Sequence, residues 1–517
     1  MPAIPDSQPS IAQHYHERTK YDPDTIASKS QPLDWSQQPI PFKEYKLGTT
    51  VDLKPYLTDE FEPADPVHIE WRRLSKLFLC SYGLTVKMLT MSGDPVYFRA
   101  APSAGGLYPA ELYLISRGTS LLPPGLYNYQ PRSHSLLRFW DSNVWGSLQD
   151  ACFWHPSLDN TQIALVTTAV FFRSAWRYQD RAYRRIFLDT GHLLGNIELA
   201  SAISDYRPHL IGGFRDESVN QLMYLNSEEE GAIAVIPLAD LLDVNQNLPL
   251  ATTALPSAAQ TQYPDIPDGE LLGYLHQATH ISDRAAKPVV TPPATEPAEA
   301  QDTPQLDKYN FPFCLKVSTV SSPVQWGDNL SGLESTILKR RSTRAYSGAD
   351  LTLNELKAIL DFTYHPHHYI DQNLDRQPDY FDLGLIETFV AVSGVEGLDE
   401  GCYYYAPNAE ELRQIRFKNF RRELHFLCLG QDLGRDAAAV VFHTADLERA
   451  IARYGDRAYR YLHMDSGHLG QRMNLAAIHL GLGVSGIAGF FDDSVNEVLG
   501  IPTDEAVLYI TTLGRPK

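Results

Sequence analysis

At 517 residues the chain is longer than one ordinary hydrophobic core accommodates, so at least two domains are expected. Apolar residues at 43% and charged residues at 21% are those of a soluble globular protein, and a net charge of −19 excludes a polyanion-binding surface, because nucleic-acid binders need a concentrated positive footprint. Five scattered cysteines without a Cys-x-x-Cys pair argue against a zinc site or disulfide framework. With no secretory leader and no apolar run of membrane-spanning length, they predict a cytoplasmic protein with no membrane partner and no metal.

In chain order, residues 112–116 and 163–171 read as short strands bounded by Gly, Asp and Pro. Ile186, Leu193, Ile197 and Ala200 then fall at three-and-four spacing, one face of a helix. Residues 285–305 are rich in Pro, Ala, Thr and Glu, a composition that buries too little apolar surface to order itself, and read as a tether. Beyond it, Thr352-Leu-Asn-Glu355 is a capping box opening a helix to about Phe362. Strands follow at 387–392, 438–442 and 507–511, and Leu462, Leu469, Met473, Ala476 and Leu480 mark a second helix face. The fold class is α+β.

The elements recur because the sequence does. Arg177-Tyr-Gln-Asp-Arg-Ala-Tyr-Arg184 returns as Arg453-Tyr-Gly-Asp-Arg-Ala-Tyr-Arg460, a shift of 453 − 177 = 276. The same shift relates Asp189-Thr-Gly-His192 to Asp465-Ser-Gly-His468, Gly213-Phe214 to Gly489-Phe490, and Gly125 to Gly401; upstream it becomes 282, so the second copy is six residues shorter in between. His16-Glu-Arg-Thr19 and His276-Gln-Ala-Thr279 echo each other ahead of the two copies. The predicted organisation is a first domain over 1–250, a linker with a short helix over 251–310, and a second domain over 311–517, packed as an intramolecular pseudo-dimer.

The copies differ where chemistry would lie. Arg340-Arg341-Ser342-Thr343-Arg344 reads as a phosphate cradle, since guanidinium forks and hydroxyls suit phosphate oxygens. Its counterparts in the first copy are Thr58, Asp59, Glu60 and Glu62, which would repel the same ligand. Conversely, the first copy has Pro102-Ser-Ala-Gly-Gly-Leu-Tyr-Pro109, whose paired glycines let backbone approach a flat ligand, where the second has Pro378-Asp-Tyr-Phe-Asp-Leu-Gly-Leu385. The glycine-rich stretch at 481–489 and the terminal Gly514-Arg-Pro-Lys517 belong to the second copy alone. Gly481-x-Gly-x-x-Gly486 follows a helix and precedes a strand, the reverse of the dinucleotide-binding arrangement, and is not read as one.

Together Arg-Arg-Ser-x-Arg, Pro-Ser-Ala-Gly-Gly-Leu-Tyr-Pro, Arg-Tyr-Gly-x-Arg-Ala-Tyr-Arg and Asp-x-Gly-His resemble the nitroreductase superfamily and, within it, the flavin-dependent azoline dehydrogenases of ribosomal peptide biosynthesis, the SagB/ThcOx type. The resemblance implies FMN held between two nitroreductase-like units. It implies one site made of Arg340, Arg341, Ser342, Arg344, Gly486, Ile487, Ala488, Gly489, Arg515 and Lys517 from the second copy, completed by Pro102, Ser103, Ala104, Gly105 and Gly106 from the first. The mirror-image site would set Asp59, Glu60 and Glu62 against Asp379 and Asp382, and is expected to have decayed.

Azoline dehydrogenases carry a Lys-Tyr pair proposed as the base; here the matching positions are Arg177-Tyr178 and Arg453-Tyr454, and because arginine stays charged, tyrosine would be the proton carrier. The repeated Asp-x-Gly-His is read as structural, and His365, His367 and His368 as a solvated loop. The leading expectation is an FMN-dependent oxidoreductase dehydrogenating a thiazoline or oxazoline in a peptide, within a peptide-modifying complex. The alternatives are an NAD(P)H-dependent reductase of nitro compounds or quinones, and a flavin-free module binding a peptide or partner.

Overall fold

The computed structural model describes residues 8–29, 32–58, 65–90, 93, 95–243, 253–282, 307–311 and 314–517. The expected tether at 285–305 lies outside them, as do Asp59, Glu60 and Glu62. Among the described residues no helix is long and apolar enough to cross a membrane.

The two copies form two seven-stranded antiparallel sheets of matching order. In the first, Thr49–Asp52, Ser135–Trp140, Gly125–Gln130, Ala110–Ser116, Ile163–Val170, Glu230–Asp240 and Tyr206–Pro208 lie side by side. In the second the succession is Lys316–Ser318, Glu411–Arg416, Gly401–Ala406, Glu387–Val392, Ala439–Asp446, Glu505–Gly514 and Gly483–Ile487. The central strands, such as Ala110–Ser116 and Glu387–Val392, are buried throughout, because helices cover both faces: a 22-residue helix on one, and on the other Trp145–Ala151 with Asp216–Leu222 in the first half and Arg421–Leu427 with Asp492–Leu499 in the second. This is the duplicated α+β arrangement the sequence predicts, and the capping box at Thr352 is made in full at the start of the helix Leu353–Tyr364.

Helices set the relation between the halves. We name α1 Ile11–Thr19, α2 Phe171–Tyr178, α3 Ala182–Ile203, α4 Leu271–Ala278, α5 Leu447–Tyr454 and α6 Ala458–His479. The 22-residue helices α3 and α6 are buried on nearly every side, since each packs on its own sheet and on its twin. They cross at the glycines of the two Asp-x-Gly-His repeats: a Cβ on Gly191 would fall on the Met464 carbonyl, and one on Gly467 on the Leu188 carbonyl. The glycine in that motif is therefore required by backbone approach.

Around the crossing, each half grips the other with the same residues. Arg181 and Arg184 reach Asp492 at 2.9 and 2.7 Å, and Arg457 and Arg460 reach Asp216 at 2.6 and 2.8 Å. All six side chains are buried, and the paired guanidinium groups hold the Asp216 carboxyl down at about 2. The echoing segments complete the clasp: His16 of α1 meets the Tyr459 hydroxyl at 3.1 Å, and His276 of α4 meets that of Tyr183 at 3.4 Å. Residues 253–262 also pack inward, with Ser257 N donating to the Tyr454 carbonyl and Gln260 N to Asp456.

Candidate functional site

The basic run begins where the helix Ser331–Lys339 ends, at Arg340. Thr343 pins it to the strand Gly483–Ile487: its N–H donates to the Val484 carbonyl at 2.8 Å and its hydroxyl accepts from Val484 N at 3.0 Å. Arg340, expected among the phosphate ligands, instead reaches into the first half. It is buried and donates to the carbonyls of Ala100 at 2.6 Å and Arg99 at 3.1 Å, and burial lowers its guanidinium to about 10. It is a strut across the halves, and it leaves Arg341, Ser342 and Arg344 partly exposed beside it.

Those carbonyls lead directly into the Pro-Ser turn. Asp189 of α3 holds that turn, accepting from Ser103 Oγ at 2.6 Å and Ala104 N at 3.0 Å, while Ser103 Oγ accepts from Tyr108 N at 2.9 Å. Burial raises the Asp189 carboxyl to about 7 against the pull of these donors. Gly105 and Gly106 follow with φ of +66° and +67°, the left-handed region that a side chain disfavours. A Cβ on Gly105 would lie 2.8 Å from the Tyr178 hydroxyl, whereas one on Gly106 would meet nothing.

The turn and the basic run line one cleft of about 860 Å³, together with Pro102, Tyr108 and Arg132. Its far wall is apolar: Ile40 and Phe42 on one side, and Val86, Met88, Val96 and Phe98 from a hairpin of β1 (Leu84–Leu89) and β2 (Pro95–Arg99). Arg341 lies 5.9 Å from the Phe98 ring. Among the described residues four arginines and no acidic side chain line this cleft, in a chain of net charge −19, so it is a local well for an anion.

The remaining expected residues do not line this cleft. Gly486 is exposed, and a Cβ there would fall on the Tyr509 hydroxyl, which meets His192 at 2.8 Å. Ile487 is buried, and Ala488 and Gly489 are half-buried. A Cβ on Gly489 would lie 3.2 Å from the Leu429 side chain and 3.5 Å from Arg185 Nη2. Arg515 turns away to Glu355 at 2.8 Å, and Lys517, exposed, donates its N–H to the Ala345 carbonyl at 3.1 Å.

The two Arg-Tyr pairs have different surroundings. Tyr178 abuts Gly105 and, among the described residues, its hydroxyl has no hydrogen-bond partner; Arg177 is exposed. At the mirror locus Asp382 occupies the place of Gly106, pairs with Arg453 at 2.8 Å and accepts from the Tyr454 hydroxyl at 3.1 Å. Burial and that carboxylate push the Tyr454 phenol up.

The rest of the mirror locus is filled with side chains. Asp379 accepts from Arg207 at 2.8 Å and from Leu210 N at 2.9 Å. Tyr380 stacks on His468 at 4.3 Å and Phe381 on Tyr461 at 4.6 Å. Asp465 holds this loop through the N–H groups of Phe381 and Asp382, as Asp189 holds its counterpart. The void left beside it measures about 20 Å³.

The histidines outside both loci are structural. His192 and His468 join Gln471 and Glu198 at 2.9 and 2.8 Å between the crossed helices. His365 is not solvated as expected: it is buried against the Tyr405 hydroxyl at 3.1 Å, because the segment Pro366–Gln372 folds back over the sheet. Among the described residues no group of three or more His, Cys, Asp or Glu could hold a metal ion. The sequence reading missed Arg185 and the hairpin wall. Both had a signal, the first as the residue where the Arg-Ala-Tyr-Arg repeats diverge and the second as part of the six-residue difference between copies.

Comparison with known proteins places this geometry. A crystal structure of a nitroreductase-family protein from Anabaena variabilis superposes with a TM-score of 0.92 at 69% identity, covering 98% of this chain and all of that one. The Methanocaldococcus jannaschii nitroreductase-family protein MJ1384 is 34% identical over 183 residues, 35% of this chain and 90% of its own length. The Escherichia coli microcin B17-processing protein McbC is 28% identical over 151 residues, 28% of this chain and 55% of its own. The Nitroreductase family pattern matches twice, over residues 79–239 and 337–515, once on each of the two sheets and its crossed helix, and the chain belongs to that family.

Proposed function

We propose that the protein is an FMN-dependent oxidoreductase with one flavin site per chain, formed between its halves. The observation that carries this reading is the shared cleft, in which Arg341, Ser342 and Arg344 of one half face the Ser103–Gly106 turn of the other. The residues fit the cofactor's chemistry. Guanidinium and hydroxyl donors suit a phosphate, two left-handed glycines leave backbone free to approach a planar ring, and no carboxylate opposes either. When bound, the flavin supplies hydride acceptance or donation. Arg341, Ser342 and Arg344 would hold the phosphate and the Ser103–Gly106 turn and the Gly486–Gly489 segment would flank the ring, whereas Arg515, paired with Glu355, would not take part and Lys517 would add only an exposed charge. Tyr178, next to Gly105 and with no hydrogen-bond partner for its hydroxyl among the described residues, would carry the proton, with Arg177 as a fixed cation; Arg453 and Tyr454 are bound to Asp382 and would not.

For the substrate, the similarity to a microcin-processing protein favours a thiazoline or oxazoline in a peptide, oxidised to the azole alongside other peptide-modifying proteins. The long apolar wall of the cleft would admit a peptide segment. A second reading, reduction of nitro compounds or quinones with NAD(P)H, is favoured by the similarity to MJ1384. Purification with flavin quantitation, followed by anaerobic mixing with an azoline peptide or with NADPH, tests both. One FMN per chain bleached only by the peptide is the expected result, rapid bleaching by NADPH would transfer the assignment to the reductase, and two FMN per chain would overturn the single-site reading.

A further inference from the structure

Where their best-matched block ends the halves part: Arg181-Ala-Tyr-Arg-Arg185 corresponds to Arg457-Ala-Tyr-Arg-Tyr461. Arg181 and Arg184 are committed to Asp492. Arg185 is not. It is 6% exposed, pairs with no carboxylate among the described residues and has no hydrogen-bond partner for its Nη1, and its side-chain hydrogen bond goes to the neutral Tyr21 hydroxyl, which it draws toward the phenolate. The nearest acid on its own helix face, Asp189, spends its oxygens on Ser103 and Ala104. The Asp189 carboxylate is near enough to feel its charge but makes no ion pair with it, and a buried cation so incompletely paired is costly.

What Arg185 faces is the Tyr178 ring, with the guanidinium carbon 3.8 Å from the ring centroid. The second half inverts each feature. Tyr461 stands in the place of Arg185, edge-on to Tyr454 at 5.6 Å, and the Tyr454 hydroxyl is tied to a carboxylate. One tyrosine of the duplicate pair thus sits against a positive charge and the other against a negative one.

We propose that Arg185 is a positioning residue that holds the Tyr178 ring against the Gly105 turn and stabilises its phenolate form. Tyr178 can then release its hydroxyl proton to water in the cleft and take up a proton from a substrate there. The inference rests on the assignment of Tyr178 as proton carrier and deepens it. The other charged or titratable groups around the ring are Arg177 on its own helix, Asp189 on α3 and Tyr21 from the N-terminal segment. Burial, the largest influence, with Asp189 and Tyr21, holds the Tyr178 phenol above its ordinary range; Arg185 is the strongest influence toward the phenolate and Arg177 the next, so Arg185 limits that rise.

The test places 3,5-difluorotyrosine at position 178 of the full chain, which brings the titration into the range where the protein is folded, and follows its ¹⁹F shift against pH. Arg185→Met should raise the midpoint by about one pH unit, a tenfold change in proton affinity, and Arg185→Lys should restore it. Coincident curves for wild type and Arg185→Met would overturn the proposal, as would Arg185→Lys titrating like Arg185→Met. Should Arg185→Met fail to fold, Arg185→Gln against Arg185→Lys decides, since both side chains are long and polar and only one is charged; equal midpoints would overturn it. The titration needs no bound cofactor. A chain purified without flavin would sink the oxidoreductase reading while this shift stayed measurable, and coincident curves in a flavin-loaded chain would sink only the role of Arg185.

Discussion

Two turns occupy equivalent places in the two halves. Pro102–Tyr108 bends through two left-handed glycines and leaves a cleft in front of it, whereas residues 378–385 have no positive φ and fill their own locus with Asp379, Tyr380 and Phe381. Both are held by the same buried aspartate of the same helix, Asp189 or Asp465. The anchoring of a turn and its use are therefore separable: duplication kept the first on both sides, and the side chains carried by the turn decide whether the locus is open or sealed.

The comparison can be broken most severely at the clasp, where the halves are alike. Asp216→Asn should cost about 3–5 kcal/mol in denaturant unfolding, because it leaves two buried guanidinium groups uncompensated. Asp492→Asn should cost a similar amount if the clasp is symmetric. The Asp216 carboxyl is held at about 2, below its unfolded value of about 3.9. Its contribution is therefore fully present above the unfolded value and is lost as pH falls through the folded one. Unfolding free energy of the wild type should drop between those pH values, and Asp216→Asn should flatten that limb.

Where the halves differ, effects should fall on flavin rather than on stability. Replacing Arg341 and Arg344 together by Ala should remove charge-assisted hydrogen bonds worth about 1.5–3 kcal/mol each, weakening FMN binding a hundredfold or more in an equilibrium titration; undiminished flavin would refute the cradle. Gly106→Asp, which copies the second half, adds left-handed strain and a carboxylate directed into the arginine-lined cleft. About tenfold weaker flavin binding is expected from a penalty of ~1.4 kcal/mol, at the low end of such strain. The smallest effect belongs to the sealed locus. The Tyr380 hydroxyl is buried without a partner, so Tyr380→Phe should be neutral or stabilising by up to about 1 kcal/mol in thermal unfolding, with flavin stoichiometry unchanged.

Much of this organisation was legible before any coordinates. The constant shift of 276 gave the tandem fold, and the complementary losses at Arg340–Arg344 and Pro102–Pro109 marked which half held which part of one cleft. Those readings succeed because a repeat acts as an internal control, in which residues kept twice serve the frame and residues kept once serve something local. The strut made by Arg340 was not legible, because an arginine in a basic run gives no sign that its donors end on carbonyls of the other half. Nor was the sealing of the mirror locus, since Tyr380 and Phe381 read as bulk and only their stacking on His468 and Tyr461 makes them a filling. Arg185 could have been found at the divergence in the repeat, but that it makes no ion pair among the described residues and lies over the Tyr178 ring is a fact of packing.

The crossing of α3 and α6 at Gly191 and Gly467 fixes both halves on a single polypeptide. A protein assembled from two identical chains cannot alter one of its twin sites without altering the other, and it loses both when dilution separates the subunits. Here neither constraint holds. A cleft built across this crossing persists at any concentration, and each side of the axis is free to drift on its own, one kept open and the other filled.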